Sequence, residues 1–436
     1  MKHRTRTDEK IVKYLNLLIS PVSLESGVKE RPDMIKNITN VRGFKCWGAH
    51  SGIKSLRRDL AIIYSEVPAS AGAVFTLNKV IAEPIKISRE NLENGMAQAI
   101  VVNAGNANAC TGEQGYEGAR AMVTALAESL KIEEDLVIVS STGVIGEPFP
   151  TEDIVEGIKV NAPKVTNRSS AGSFAANAIL TTDTFAKEGF LEFSLDGREV
   201  NMAGIAKGSG MIHPNMATML AFIVTDADIE PKLLQKAVSE SVEDTFNMIT
   251  VDGDTSTNDM VGVLANGMAG NERLTSEKDK DYKVFLNKLK EMMQHLAKLI
   301  ISDGEGSSKF VEYRIENAPD KAVARKLARN ISSSNLVKTA MFGRDPNWGR
   351  IISAAGNAGV PFDYTTVDLY LGNERERVKV LEKGKPVKYD RNFMKKLLRE
   401  SHLSVKMDMC DGEAVAVAWG SDLTTDYVLF NSVYTT

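Results

Sequence analysis

The sequence predicts an α+β fold in which helices and strands follow one another without a repeated unit. Apolar residues recur at helical spacing in some segments and form alternating or continuous short runs in others. The order of these segments is too irregular for the strand–helix alternation of a doubly wound parallel sheet. With 436 residues, 43% of them hydrophobic, the chain is long enough for two or three domains with well-filled cores.

The first half of the chain contains a predicted helix, a buried strand and a hairpin. Apolar residues at helical spacing predict the helix over 119–130, and the run LVIVS that follows predicts a buried strand. This strand delivers the chain to Thr142 and Gly143, where the motif STGVIG predicts a turn. The segment LEFSLDGREV predicts two strands joined by a tight turn at Asp196 and Gly197.

The second half carries the longest predicted helix and several strands. The helical spacing of apolar residues from Phe285 to Leu299 predicts that helix, which ends before the turn DGEG at Asp303. After it come an alternating segment FVEYRIE, a helix KAVARKLARNI, and two late strands, LSVKMDM and AVAVAW. The run MLAFIV, which begins at Met219, is typical of a buried strand.

Composition excludes several classes of function. A net charge of −4 gives no reason to expect a nucleic-acid surface. The three cysteines are far apart and form no CxxC motif, which argues against a zinc site and against a disulfide framework. The glycine-rich pieces at 208–210 and 356–359 lack the spacing and the preceding strand of a nucleotide-binding loop. We therefore expect no metal site and no phosphate-binding loop.

Residues 1–35 are predicted to be an N-terminal extension that contains one short helix. The apolar stretch IVKYLNLLIS at 11–20 is too short to cross a bilayer. No A-x-A-like cleavage site follows it, and Asp8 and Glu9 are unfavourable in a signal or transit peptide. We therefore expect a cytoplasmic protein.

Ala217 and Thr218 form a pair at which the chain is a candidate for cutting itself. A threonine that becomes a chain N-terminus can use its own α-amino group as the base that activates its hydroxyl group. That amine has an ordinary pKa of about 7.7 to 8.0, so a useful fraction is unprotonated near neutral pH. Gly208, Gly210 and Pro214 favour an irregular loop before the pair, and a strand follows it. The same pattern also fits an ordinary junction between a loop and a buried strand.

Several motifs, in order along the chain, resemble those of the ornithine acetyltransferases, also called the glutamate N-acetyltransferase or bifunctional arginine-biosynthesis family. The block KGSGMIHPNMATML at 207–220 resembles the processing site of that family. The other motifs are VVNAGNANACTG, SSTGVIGEP, AILTTDT, TVDGDTSTNDM, DGEGSSK, SNLVKTA, DPNWGRI and AWGSDLTTDYV. Together they extend over roughly residues 40–436, which chance similarity does not produce.

The resemblance implies a particular architecture and a processing event. The expected fold is an αββα-type sandwich of the self-cleaving ornithine acetyltransferase and aminopeptidase-like kind, with a smaller C-terminal lobe over roughly 315–410. Cleavage between Ala217 and Thr218 would separate an α chain, whose core is 36–217, from a β chain of 218–436. Two αβ units are then expected to form an α2β2 heterotetramer.

The resemblance also implies a reaction. The acetyl group of N-acetylornithine passes to glutamate through an acetyl-Thr218 intermediate, and ornithine and N-acetylglutamate are released. The expected partners are these small molecules, with neither a nucleic acid nor a membrane, and no metal or organic cofactor is needed. In bifunctional members acetyl-CoA replaces N-acetylornithine as the acetyl donor, and the sequence does not decide whether it does so here.

The site residues follow by position from the same resemblance. Thr142 and Gly143 are expected to form the oxyanion hole, because a hydroxyl group and a backbone N–H can both donate to the developing negative oxygen. Lys207 lies eleven residues before Thr218 and could bind a carboxylate. The expected substrate contacts are Thr181, Lys207, Thr218, Glu305, Asn431 and Thr436.

Two other classes of protein stay open at this point. A related self-cleaving fold serves as an N-terminal-nucleophile aminopeptidase or amidase, in which water accepts the acyl group. The presence of Lys207, Glu305 and the C-terminal residues Asn431 to Thr436 favours the transferase. A non-enzymatic, uncleaved relative would lack Thr218, which is present here.

Overall fold

The computed structural model describes residues 36–213 and 219–433, and every structural statement refers to these residues. Of the predicted site residues, Ala217, Thr218 and Thr436 lie outside them, as does the predicted N-terminal extension. The described residues belong to one compact unit with two β-sheets and helices around them. The predicted α+β class is therefore confirmed.

The first sheet has eight strands among the described residues. They are β1 (Phe44–Ala49), β2 (Leu60–Phe75), β3 (Met96–Asn106), β4 (Val137–Val144), β5 (Lys187–Leu195), β6 (Arg198–Lys207), β7 (Leu220–Thr225) and β9 (Met260–Ala265). Their order is β4-β3-β2-β9-β7-β6-β5, and β1 pairs with β2. Strands β7 and β9 are parallel neighbours, whereas β6 is antiparallel to β7.

The second sheet has seven strands in the same part of the chain. They are β8 (Ile249–Thr250), β10 (Phe310–Ala318), β11 (Asp368–Gly372), β12 (Arg377–Glu382), β13 (Lys385–Pro386), β14 (His402–Asp408) and β15 (Ala414–Ser421). Their order is β13-β12-β11-β14-β10-β15-β8. The alternating segment FVEYRIE and both predicted late strands are therefore found, as β10, β14 and β15.

Helices lie against both sheets. They are α1 (Glu83–Asn91), α2 (Gly112–Leu130), α3 (Thr151–Asn161), α4 (Ser169–Ala178), α5 (Pro231–Glu243), α6 (Lys280–Ser302), α7 (Lys321–Ser333), α8 (Asn335–Phe342), α9 (Trp348–Gly356), α10 (Arg391–Leu397) and α11 (Thr425–Val433). Within the described part of the chain, none of them is both long and apolar enough to span a bilayer.

The longest helix, α6, links the two sheets. Its first turn is capped by Asp279, whose side chain accepts a hydrogen bond from the backbone N–H of Asp281. Buried residues from Phe285 to Ile301 recur at three- and four-residue intervals and form its apolar face. This helix contacts β5 and β6 of the first sheet and β8 and β15 of the second. One core therefore extends across both sheets.

The hairpin predicted from LEFSLDGREV is confirmed. Leu195 pairs with Arg198, and the two residues between them have positive φ angles, 47° at Asp196 and 71° at Gly197. Two successive left-handed residues are the geometry of the tight turn that matches the twist of a β-ribbon. The turn sends β6 back along the sheet towards Lys207, which is its last residue.

Candidate active site

Residues 214–218, which include the predicted cleavage site, lie outside the described residues, but both of their flanks are described. Met219 is buried, and its carbonyl accepts a hydrogen bond from the N–H of Met260 at 3.0 Å. Leu220 begins β7 and pairs with Lys207 at the end of β6. Every residue of β7 is buried, so the predicted nucleophile is followed at once by a strand in the core.

Hydrogen bonds hold the chain on the other side of this segment. Asp252 accepts from the backbone N–H groups of Met211 at 2.7 Å and of Ile212 at 2.8 Å. Met211 has a φ of 56°, a left-handed conformation that is uncommon for a residue other than glycine. The hydroxyl group of Thr255 donates to the carbonyl of His213 at 2.9 Å. The described residues on both sides of the predicted cleavage segment are therefore held by hydrogen bonds.

Lys207 is a buried cation at the end of β6. Only 9% of the residue is exposed, and its Nζ donates to Oγ1 of Thr142 at 3.3 Å. Burial lowers the pKa of Lys207, while the carboxylates of Asp183, Asp259 and Glu305 favour its charged form. Three predicted site residues, Lys207, Thr142 and Glu305, thus belong to one electrostatic cluster although they are distant in the sequence.

Thr142 and Gly143 lie in strand β4, so the turn predicted there is wrong. The parallel pairing of β4 with β3 continues with Thr142 opposite Ala104 and Gly143 opposite Gly105. A Cβ on Gly143 would lie 2.3 Å from the carbonyl carbon of Gly105, and Gly143 has a φ of 136°. Glycine is therefore required here because two strands approach closely. In the sequence, a glycine with this role cannot be distinguished from a glycine in a turn.

A buried group of three charges, which the sequence analysis missed, supports the loop after β6. Nζ of Lys187 contacts Oδ1 of Asp183 at 2.7 Å and Oδ2 of Asp303 at 2.6 Å. Oδ1 of Asp183 also accepts from the N–H of Gly208 at 2.7 Å, and the carbonyl of Asp303 accepts from the Ser209 hydroxyl at 2.6 Å. Both aspartates occur in motifs noted above, but a single lysine in a strand carries no signal because most lysines are exposed.

Glu305 and Asn431, two predicted site residues, are in contact. Glu305 lies in the loop after α6 and is buried, and its Oε2 accepts from Nδ2 of Asn431 in α11 at 3.1 Å. Burial raises the pKa of Glu305. A Cβ on Gly210 would lie 2.2 Å from the carboxyl carbon of Glu305. The glycine in the loop before the cleavage segment therefore leaves room for this carboxyl group.

Thr181 joins the same cluster through its backbone. Helix α4 ends at Ala178, and Thr181 lies in the loop that follows it. The N–H of Thr181 donates to Oδ2 of Asp183 at 3.0 Å. Since Oδ1 of Asp183 accepts from Gly208, one buried carboxylate holds Thr181 beside the loop that leads to the cleavage segment.

Asp259 is a further residue that the sequence analysis missed. It directly precedes β9, is 2% exposed, and accepts hydrogen bonds from the backbone N–H of Met219 and from Ser256. Burial raises the pKa of Asp259 well above its ordinary value. None of the described residues hydrogen-bonds to its Oδ2. A buried carboxyl group therefore lies beside the backbone N–H of Met219.

His213 has polar contacts on both ring nitrogens. Its Nδ1 is 3.0 Å from Oγ1 of Thr250, and its Nε2 is 3.1 Å from Nη2 of Arg329. Burial, with the charge of Arg329, lowers the pKa of His213 to about 4, so the ring is uncharged at neutral pH. A cavity of about 430 Å³ beside it is also lined by Arg325 and Lys326 and contains none of the described site residues.

No set of three or more His, Cys, Asp or Glu side chains in 36–213 and 219–433 is arranged to hold a metal ion. The three cysteines are unpaired: Cys46 is buried, and Cys110 and Cys410 are exposed. That the chemistry uses neither a metal nor an organic cofactor stays a prediction.

The two-sheet α+β fold holds a buried cluster of opposite charges at the start of β7, and such a cluster fits the active site of an enzyme. The chain belongs to the ArgJ family, which it matches over residues 45–436. It is 48% identical over 395 residues to the arginine biosynthesis bifunctional protein ArgJ of Caldanaerobacter subterraneus subsp. tengcongensis, covering 91% of this chain and 97% of that protein. Family membership agrees with the αββα-type sandwich expected from the sequence.

Two further proteins are similar to this chain. The protein of the same name from Thermotoga neapolitana is 48% identical over 397 residues, which cover 91% of this chain and 99% of that protein. A crystal structure of the arginine biosynthesis bifunctional protein ArgJ from Bacillus halodurans is 45% identical, with a TM-score of 0.40, and the match covers 42% of this chain and 95% of that one.

Proposed function

We propose that the protein is an acetyltransferase that moves the acetyl group of N-acetylornithine to glutamate, as a step of arginine biosynthesis. Membership of the ArgJ family supports this reaction. The observation that carries it is the contact between Nζ of Lys207 and Oγ1 of Thr142, beside the strand that follows Thr218. A cation and a hydroxyl group then lie next to the backbone of Gly143, and donors of this kind can stabilise the oxyanion of an acyl transfer.

The first step is cleavage of the bond between Ala217 and Thr218 by the chain itself. The hydroxyl oxygen of Thr218 attacks the carbonyl carbon of Ala217, the C–N bond breaks, and the hydroxyl proton passes to the departing nitrogen. Water then hydrolyses the ester, which leaves an α chain that ends at Ala217 and a β chain that begins with an α-amino group. The hydrogen bonds from Met211 and Ile212 to Asp252 support this step, because an anchored chain keeps the reacting groups close.

The second stage is transfer through an acetyl-enzyme. The α-amino group of Thr218 takes the hydroxyl proton while the oxygen attacks the acetyl carbon of N-acetylornithine. The amide C–N bond breaks, the proton passes to the departing nitrogen, and ornithine leaves. The amino nitrogen of glutamate then attacks the ester, the Thr218 oxygen leaves and regains a proton, and N-acetylglutamate is released. Two half-reactions that share a covalent intermediate predict ping-pong kinetics.

Thr142 and Gly143 are proposed to stabilise the oxyanion in each half-reaction. The Thr142 hydroxyl and the Gly143 N–H can both donate to a negative oxygen. Lys207, in contact with Thr142, adds positive charge that favours the oxyanion. Removing one such donor lowers kcat by about 100- to 1,000-fold in enzymes of this type.

The charged groups of the substrates are proposed to be bound by the cluster around Lys207. Lys207 suits the α-carboxylate that both amino acids carry, and Glu305 suits the ammonium group of ornithine. Asn431 supports this role because its amide holds the Glu305 carboxyl group in place. Thr181 and Thr436 are proposed to complete the contacts with the substrate.

Two measurements test this proposal. Intact-mass analysis of the purified chain should find two polypeptides that meet between Ala217 and Thr218, and a single uncut chain after prolonged incubation would contradict processing. Incubation with N-acetylornithine and glutamate should yield ornithine and N-acetylglutamate in equal amounts. Free acetate without transfer would indicate the aminopeptidase or amidase alternative. The same assay with acetyl-CoA as the only donor decides whether a second activity is present.

We also propose that the reaction needs no metal or organic cofactor, because each step above uses only side chains and substrates. Dialysis against a chelator should then leave transfer unchanged. The α2β2 heterotetramer and the cytoplasmic location stay predictions. Size-exclusion chromatography with light scattering tests the first, and cell fractionation tests the second.

A further inference from the structure

The two amino acids of the proposed reaction differ in the charge of their side chains. Ornithine ends in an ammonium group and glutamate in a carboxylate, so one site must accept a positively charged and a negatively charged side chain. Glu305 suits the ammonium group, and Lys207 suits the α-carboxylate that both share. The side chain of glutamate therefore needs a second cation, an inference that rests on the proposed function.

Lys54 is a cation at the edge of this cluster. It lies in the loop between β1 and β2, and its Nζ donates to the carbonyl oxygens of Leu180 at 2.5 Å and of Arg58 at 3.2 Å. Its backbone N–H donates to Oδ2 of Asp59 at 2.9 Å. Because Leu180 directly precedes Thr181, the ammonium group lies beside the proposed substrate site.

The aliphatic part of Lys54 lies over the glycines next to the proposed oxyanion hole. Its Cγ is 3.4 Å from the position that a Cβ on Gly105 would occupy. The carbonyl carbon of Gly105 is in turn 2.3 Å from the corresponding position on Gly143. The residue is half-buried, so it is held by its neighbours while part of it stays open to solvent.

We propose that Lys54 binds the side-chain carboxylate of the acceptor amino acid and thereby selects glutamate in the second half-reaction. An ammonium group has three N–H donors, and the carbonyls of Leu180 and Arg58 use two of them. The third can donate to a carboxylate, and such a charge-assisted hydrogen bond is stronger than one between neutral groups. Lys54 is then a residue that determines specificity for the acceptor.

The charge of Lys54 depends on pH in a useful range. Burial lowers the pKa of Lys54 to about 8, Asp59 and Asp183 oppose this change, and Lys207 and Arg57 add to it. Below that pH the lysine is charged, and above it the lysine loses its proton. The affinity for glutamate should therefore fall as the pH rises through about 8.

The test compares Lys54→Met with Lys54→Arg in the full chain, after intact-mass analysis has established that each is cut. Ornithine released in a single turnover without glutamate reports the donor half-reaction, and the KM for glutamate reports the acceptor half-reaction. Lys54→Met should raise the KM for glutamate about 10- to 100-fold, since a hydrogen bond to a charged group is lost. Ornithine release should not change, and Lys54→Arg should recover most of the affinity.

Glutamine separates recognition of charge from a general loss of structure, because it has the shape of glutamate without the charge. The natural protein should prefer glutamate to glutamine as acceptor, and Lys54→Met should lose most of that preference. In Lys54→Met the KM for glutamate should also no longer increase above pH 8. Lys309→Met is the matched control, since Nζ of Lys309 likewise donates to two backbone carbonyls, those of Glu400 at 2.8 Å and Arg399 at 3.5 Å. It should leave the preference unchanged.

Two failures of this experiment have different meanings. An equal rise of the KM for glutamate and glutamine in Lys54→Met, or the same effect in Lys309→Met, would overturn the assignment of Lys54. If the natural protein released no ornithine from N-acetylornithine, the proposed function itself would be contradicted.

Discussion

The two ends of strand β7 each carry a buried carboxyl group, and the two groups differ in their hydrogen bonds. Asp226, which follows the strand, accepts from the N–H of Asn201 at 2.7 Å and from Nη1 of Arg42 at 3.2 Å. Asp259, which lies beside Met219 at the start of the strand, has an Oδ2 to which no described residue hydrogen-bonds. Burial raises the pKa of both carboxyl groups.

We interpret the difference as a division between an end of β7 that stabilises the fold and an end that is available for the proposed chemistry. A buried polar atom without a partner costs about 1–3 kcal/mol, and a catalytic role is one explanation for such an atom. At the end of β7, which we call the far end, both oxygens of the Asp226 carboxylate accept hydrogen bonds, from Asn201 and from Arg42. At the start of β7, which we call the near end, one oxygen of Asp259 accepts no hydrogen bond from a described residue. Asp259 contacts Met219, which follows the predicted nucleophile in the sequence.

The largest expected effect is that of Thr218→Ala, which removes the proposed chemistry from the near end. Neither the Ala217 carbonyl nor the acetyl carbon then meets a hydroxyl group. Intact-mass analysis should find one full-length chain, and the transfer assay should find no N-acetylglutamate. Thr225→Ala, at the far end of β7, is the matched control and should still be cut. Appreciable transfer by Thr218→Ala would refute the role of Thr218.

Lys187→Met is expected to have the largest effect on stability. It leaves the carboxylates of Asp183 and Asp303 buried without their cation. Removing one partner of a buried ion pair costs about 3–5 kcal/mol in free energy of unfolding. The urea midpoint should fall accordingly, whereas Lys236→Met, which breaks an exposed pair with Glu277, should cost about 0–1 kcal/mol. Equal midpoints for the two variants would contradict a stabilising role for Lys187.

Asp259→Asn and Asp226→Asn test the comparison of the two ends directly. The asparagine at 259 can still accept from the Met219 N–H, but its Nδ2 takes the place of Oδ2 and cannot accept a hydrogen bond there. If this oxygen positions a reacting group, kcat for transfer should fall on the order of 100-fold, with cleavage retained. Asp226→Asn should instead lower the free energy of unfolding by about 1–3 kcal/mol and leave kcat unchanged.

The reverse pattern would contradict this division. If Asp226→Asn slowed transfer, or if Asp259→Asn only destabilised the fold, the two ends of β7 would not differ in function. Equilibrium unfolding in urea and initial rates at saturating substrate, measured on the same preparations, distinguish these outcomes.

The smallest expected effect is a pH dependence of donor binding at the near end. Burial raises the pKa of Glu305, and only its ionised form attracts the ammonium group of N-acetylornithine. The KM for N-acetylornithine should therefore rise as the pH falls through this raised pKa. Glu305→Gln should have a high KM for N-acetylornithine at every pH. The KM for glutamate, which should not rise at low pH, is the internal control. If the KM of Glu305→Gln for N-acetylornithine still rose as the pH fell, this explanation would be excluded.

Most of the elements that we predicted from local sequence patterns are found in the structure. The tight turn at Asp196 and Gly197, the long helix after residue 280 and the strand after Thr218 each depend on residues a few positions apart. The motif at Thr142 and Gly143 was located but assigned to a turn. Glycine in the same pattern also permits close contact between strands, and only the neighbouring strand decides between the two.

From the sequence alone we predicted the α+β class, the positions of three helices and seven strands, and the segments that carry the candidate chemistry. Only the tertiary structure decided that Lys207 meets Thr142, 65 positions away, and that Lys187 meets Asp303, 116 positions away. Periodicity reports neighbours along the chain, whereas desolvation and charge interactions depend on neighbours in space. For that reason Lys54 carried no signal in the sequence, and Asp259 was part of the motif TVDGDTSTNDM without a role of its own, although both lie beside the proposed active site.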